Sequence, residues 1–293
     1  MREKLYSKTG SLMLVVAVYV VAFVIAAMVF NLLKGSGILF ATFLADVAAT
    51  IVVWGIGLIF KNASLYDPYW SVIPVMVIPF WVAIKETSPG VLDILLIIAI
   101  SVWGIRLTLN WVSGWKGLAQ QDWRYTMLKE KNPDIWFITN LGGINMMPTI
   151  LVFLGMVPAY YMINSRQQIN VLSIIGFIIC IAAASVQFAS DRQLALFRNN
   201  DDNAGKHINE GLWKYSRHPN YLGEVSLWWG IWLMQMGSAP QYWVTVIGPV
   251  LMTLLFVFIS IPMMEKHVIK KRPDYVDYKK SVPMLVPGIK KRP

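Results

Sequence analysis

An all-α fold, a polytopic bundle of membrane-crossing helices, is what this sequence predicts, and three observations carry it. Of the 293 residues, 56% are hydrophobic and only 14% charged, where a soluble domain has about 25% charged residues. The apolar residues gather into long runs, and about 20 suffice to cross a bilayer core; mean hydropathy is +0.54. The basic residues fall on alternate sides of those runs.

The runs are 11–33, 38–60, 70–84, 91–112, 147–164, 171–190, 221–236 and 242–264, giving about eight spans. The first follows the basic stretch MREKLYSKTG and exceeds the 7–15 apolar residues of a cleavable signal, so it reads as a retained helix. The second carries Asp46, an expensive residue for a span. The third is short and interrupted by Pro74 and Pro79, which predicts a kinked or partly re-entrant segment. The fourth holds Arg106 and Asn110 on one face; a charge there costs about 2.5–3.5 kcal/mol on insertion scales, so the pair is expected in a wet cavity or against a polar ligand. Asp46 and Arg106 differ in depth by about 10 Å and are not expected to pair. The seventh run is also short, which makes seven spans the competing count.

With eight spans and a cytosolic N-terminus, 22 of the 26 Lys and Arg lie in inside segments and three in outside loops, with Arg106 in a span. Cytoplasmic loops are enriched in these residues, so both termini are expected in the cytosol. The net charge of +10 is then a topology signal, helped by attraction to anionic lipid, and argues against a nucleic-acid partner. One cysteine, Cys180, excludes an internal disulfide and a Cys-based zinc site, and the three separated histidines argue against a metal site. Nothing in the chain marks a second domain or an obligate protein partner: residues 1–293 read as one domain.

The densest chemistry is YSRHPNYLGE, Tyr215 to Glu224. Pro219 suits a first helical turn, and a helix start beside Arg217 is an anion site. His218, Asn220, Tyr221 and Glu224 crowd the same turn. Upstream, Gln187, Asp191 and Arg198 share a helical face; Asp191 suits a ribose hydroxyl or amide, and Arg198 a phosphate. In SLYDPYWS, Asp67 stands with Tyr66 and Tyr69: a tyrosine beside a carboxylate can donate a proton, and the same composition builds an aromatic belt. No GxGxxG after a strand, GxxxxGK[ST], HExxH or GxSxG occurs. The sequon at Asn62 falls on the cytosolic side.

SDRQLALFR, then GLWKYSRHPNYLGE, then IPMMEKHVIKKRPDYVDYKK resemble the membrane steroid 5-alpha-reductase-like superfamily, in its large poorly characterised branch. NASLYDPYWSVIP, QQDWRY and NMMPTILVFLGMVPAY extend the likeness from about residue 40. The resemblance implies a helical membrane reductase that uses NADPH to reduce a conjugated C=C bond in a lipophilic, steroid- or lipid-enone-like substrate. It implies an acceptor side in spans 11–112 and a cofactor half at 147–293, with the cofactor on the cytosolic side. Asp191, Arg198, Asn220 and Glu224 match positions that hold the cofactor; Glu265 and Tyr275 join that cluster, and Arg217, His218 and Tyr221 are added from their own chemistry. The early acid corresponds to Asp67, and the expected tyrosine position is Trp103, which departs from the family; Tyr66 or Tyr69 is the replacement. Trp103, Arg106 and Asn110 are expected along the substrate cavity. RHPNYLG with DYVDYKKSVPMLVP is also similar to the isoprenylcysteine carboxyl methyltransferases, which bind S-adenosylmethionine, and a non-catalytic lipid or sterol binder is a third reading. The expected location is a bacterial cytoplasmic membrane or, from the KKRP tail, the endoplasmic reticulum.

Overall fold

The structure, a computed structural model, describes residues 6–166 and 168–288; the KKRP tail with Lys290 and Lys291 lies outside the described residues. Every regular element among those described is helical. The long helices are α1 (Lys8–Leu33), α2 (Ile38–Ile59), α3 (Tyr69–Ile84) and α4 (Val91–Gly114). After them come α5 (Trp123–Lys131), α6 (Trp136–Ile163), α7 (Val171–Arg198) and α8 (Pro219–Ser238). The chain closes with α9 (Pro240–Lys271) and α10 (Tyr275–Ser281).

Seven of these are long and apolar enough to cross a membrane: α1, α2, α3, α4, α6, α7 and α9. Helix α8, the expected seventh run, has 20 residues, about 30 Å of rise, and so the length of a span. Its buried Glu224 and Gln235 lower its hydropathy. Helix α3 runs unbroken through Pro74 and Pro79. Helix α6 begins less than one turn before the π-helical stretch Thr139–Met146, upstream of the apolar run.

The chain divides into two compact units, Met1–Pro89 with Trp103–Tyr160, and Gly90–Val102 with Tyr161–Pro293. In the first, the loop after α2 is sewn to the loop after α4. Asn62 Nδ2 donates to the carbonyls of Leu118 and Gln120 at 2.9 and 3.0 Å, and the Asp122 N–H donates to Ser64 Oγ at 2.9 Å. The sequon asparagine is therefore buried in the wall of the fold. In the second unit α7 and α8 touch backbone to backbone: a Cβ on Gly176 would lie 2.5 Å from the Gly230 carbonyl oxygen. That approach needs glycine and fixes the register of the two helices that carry Asp191 and Asn220.

Candidate functional site

Three helices of the first unit, α1, α2 and α3, line an open-sided cavity of about 620 Å³. Its wall is apolar, with Phe23, Ala45, Ile73 and Phe80 among its residues, Lys34 and Asn31 at one end, and one acid, Asp46. Asp46 is 4% exposed. Its Oδ1 accepts the Tyr69 hydroxyl hydrogen at 2.8 Å, and its Oδ2 is buried with no hydrogen-bond partner among the described residues. Leaving such an oxygen unbonded costs about 1–3 kcal/mol, a cost that a polar group entering the cavity would remove.

The neighbouring hydroxyls support this pair. Tyr69 meets Tyr19 edge to face, with ring centroids 5.6 Å apart, and the Tyr19 hydroxyl donates to the Leu65 carbonyl at 2.9 Å. Tyr66 bonds Thr149 at 2.7 Å, and Thr149 bonds Thr50 at 2.8 Å. Asp67 turns elsewhere: its Oδ1 accepts from Tyr125 at 2.5 Å. Burial, and then the Asp67 charge, push the Tyr125 hydroxyl well above the ordinary tyrosine value. The DPYW and DWRY stretches thus meet, as a clasp between two loops. Trp103 is fully buried against Trp70; Arg106 is half-buried and Asn110 exposed. None of Trp103, Arg106 and Asn110 is in the wall of this cavity.

In the second unit the polar residues form two knots. The first is centred on Glu265, 3% exposed. Its Oε1 accepts from Arg217 Nε at 2.7 Å and faces His218 Nε2 at 3.2 Å, while Oε2 meets Lys279 Nζ at 2.7 Å. Arg217 Nη1 also donates to the carbonyls of Lys279 and Val282, at 2.6 and 2.7 Å. The guanidinium that the sequence assigns to a phosphate is thus turned onto an acid and the backbone of the C-terminal segment. Tyr275 is buried beside this knot, and burial first, with Glu265's charge, raises its hydroxyl. His218 stacks on Tyr221 with centroids 5.4 Å apart. Burial pushes its imidazole below the ordinary value, against the raising effect of the Glu265 hydrogen bond.

The second knot joins α7 to α8. Gln187 Nε2 donates to Glu224 Oε2 at 2.6 Å, and Trp228 Nε1 to Oε1 at 3.1 Å. One turn nearer the loop, Asn220 Nδ2 donates to Asp191 Oδ1 at 3.3 Å. Both of these residues are half-buried. Arg198, exposed at the end of α7, lies within electrostatic reach of Asp191 and of Arg272. Arg198, with Arg272 near it and a half-buried acid and amide on its other side, makes a set of groups suited to phosphate and ribose.

Sequence reasoning noted the cost of Asp46 and gave it no role; the signal was the carboxylate itself, deep in an apolar span. It passed over Arg272 because that residue sits in a long basic tail. Among the described residues no group of three His, Cys, Asp or Glu has metal-ligand geometry. A family described as "Protein of unknown function (DUF1295)" matches residues 53–282. No curated protein and no solved structure matches the chain.

Proposed function

The chain belongs to the DUF1295 family, and from that premise and its site chemistry we propose that it is a membrane-embedded, NADPH-dependent reductase of a conjugated C=C bond in a lipophilic substrate. One observation carries the reading: in an apolar cavity, a single acid is held by a tyrosine through one oxygen and keeps the other unbonded. A volume of about 620 Å³ falls in the range of small-molecule sites, about 300–1,000 Å³, and suits a lipophile of steroid size.

NADPH, when bound, would supply hydride to the electron-poor carbon. The chain's part is to stabilise the negative charge that grows on the enone oxygen, the electrostatic contribution that dominates many enzymes. Asp46 in its acid form donates from Oδ2 to that oxygen, and Tyr69 orients the acid by donating to Oδ1. The apolar wall excludes water, which strengthens the contact. For the nucleotide, Arg198 and Arg272 supply charge to the phosphates, and Asp191 with Asn220 supplies hydrogen bonds to ribose or carboxamide. Arg217, His218, Tyr221, Glu224, Glu265 and Tyr275 build the frame that holds these groups.

The RHPNYLG stretch also fits a methyltransferase that uses S-adenosylmethionine, so the decisive test is the nucleotide that stays with the detergent-purified protein. NADP(H), with oxidation of added NADPH by a lipid enone, supports reduction. S-Adenosylmethionine or its demethylated product overturns it in favour of methyl transfer. A retained lipid with neither nucleotide argues for a passive binder.

A further inference from the structure

A second cavity, of about 260 Å³, lies in the first unit at the foot of α2, with Lys61, Asn62, Gln121, Lys129, Trp136 and Asn140 among its residues. The reductase reading makes no use of it. Its wall contains two lysines and no carboxylate among the described residues. The rest of the polar lining is built rather than incidental: Asn62 and Asn140 are 2% and 3% exposed. Asn62 is pinned by its bonds to Leu118 and Gln120, and Gln121 Oε1 accepts from the Ala63 N–H at 3.0 Å.

Both lysines are exposed, and the backbone of one and the side chain of the other are constrained. Lys61 has a φ of 52° and is the one residue other than glycine with a positive φ among the described residues. An L-residue pays about 1–2 kcal/mol for that conformation, and such strain persists where surrounding structure enforces it, often at ligand sites. The next residue, Asn62, is anchored by its side-chain hydrogen bonds. Lys129 Nζ lies 5.8 Å from the Trp136 ring centre, a cation–π contact that limits its wandering. Immediately beside this basic hollow the surface turns greasy: Ile59, Phe137 and Ile138 are 75%, 57% and 70% exposed. All three belong to helices apolar enough to be spans by themselves, α2 and α6.

We propose that this cavity binds the phosphate of an anionic phospholipid. Lys61 and Lys129 meet the headgroup, and Ile59, Phe137 and Ile138 take the acyl chains. A phosphate-bearing group is what two uncompensated ammonium groups recognise, and the adjoining apolar surface selects a lipid over a free anion. The site is independent of the reductase reading.

The test compares wild type with Lys61→Asn/Lys129→Gln in lipid-depleted detergent micelles. Asparagine tolerates positive φ, so the double variant removes charge without adding strain, and it is expected to melt at the wild-type temperature when no lipid is present. Phosphatidylglycerol should raise the melting temperature of the wild type saturably, and phosphatidylcholine should not. The double variant should bind phosphatidylglycerol about thirtyfold more weakly, the effect of two basic residues at an anionic surface. Equal shifts from the two lipids, or an unchanged affinity in the double variant, overturn the proposal. A shift from inorganic phosphate as large as that from phosphatidylglycerol overturns the lipid assignment. If the double variant does not fold, Lys129→Gln alone, with native mass spectrometry counting retained phosphatidylglycerol, decides by whether one lipid per chain is lost.

Discussion

Tyr69 donates its hydroxyl hydrogen to Asp46 across 2.8 Å, from α3 to α2, while Asp67, two residues before it, is held by Tyr125. The acid at the acceptor is therefore expected to be Asp46. Asp46→Ala should lower enone reduction by about 10²–10⁴-fold, the usual worth of a positioned proton donor, with NADPH affinity unchanged. Tyr69→Phe should lower it less, because the acid remains and only its orientation is lost. Asp67→Asn should cost under about tenfold, since its hydrogen bond joins two loops. Steady-state rates on purified protein measure all three. A larger loss at Asp67 than at Asp46 would return the role to the DPYW acid.

How much of this was legible in the sequence depends on the distance between partners. Runs of apolar residues give the spans directly, since burial in lipid demands about 20 of them, and α2, α3 and α4 fall within a few residues of their runs. The Asn220–Asp191 contact follows from two polar stretches that flank one loop. Asp46 and Tyr69 lie 23 residues apart on different helices, and which tyrosine of Tyr66 and Tyr69 reaches Asp46 depends on the rotation of α3 about its own axis. Periodicity in a helix that is apolar all round leaves that rotation open. The partners of Arg217 were hidden for a related reason: they are Glu265, 48 residues on, and the carbonyls of Lys279 and Val282. An arginine at a helix start looks alike whether it awaits a phosphate or is already satisfied.

That satisfied state has a consequence for stability. Arg217 and Glu265 are 7% and 3% exposed, and removing one partner of a buried ion pair costs about 3–5 kcal/mol, because the other charge is stranded. Arg217→Ala should lower the melting temperature of the detergent-solubilised protein sharply. Arg217→Ala/Glu265→Ala should be less damaging than the sum of the two single changes. Strict additivity in that cycle would mean that the two side chains act separately, and a wild-type melting temperature for Arg217→Ala would free Arg217 for a ligand.

His218 gives the fold a pH dependence. Its folded-state value lies below the ordinary 6.5, so between the two values the unfolded chain binds more protons than the folded one. Stability then rises with pH through that window. It is complete above about pH 6.5 and falls as the solution is acidified toward the folded value. His218→Gln should flatten this part of the curve. Melting temperatures between pH 5 and 8 measure it, and a wild-type curve that rises on acidification would contradict the buried neutral imidazole.

Glycine also sets the register of α7 and α8 one turn above the nucleotide groups' acid and amide. A Cβ on Gly223 would meet the Ala183 carbonyl oxygen at 2.6 Å and Gln187 Cγ at 2.5 Å, and Gln187 is the residue that donates to Glu224. Gly223→Ala must therefore push the helices apart or displace Gln187, and inserting a methyl into a packed contact costs about 1–3 kcal/mol. Gly55, on α2, has nothing within 4 Å of the same position, so Gly55→Ala should leave stability unchanged or raise it slightly through helix propensity. If α7 and α8 position the nucleotide groups, Gly223→Ala should weaken NADPH binding in step with the loss of stability, and Gly55→Ala should change neither. Dissociation constants and melting temperatures on the two variants test this together. A destabilised Gly223→Ala protein with wild-type NADPH affinity would separate the α7–α8 contact from the cofactor site.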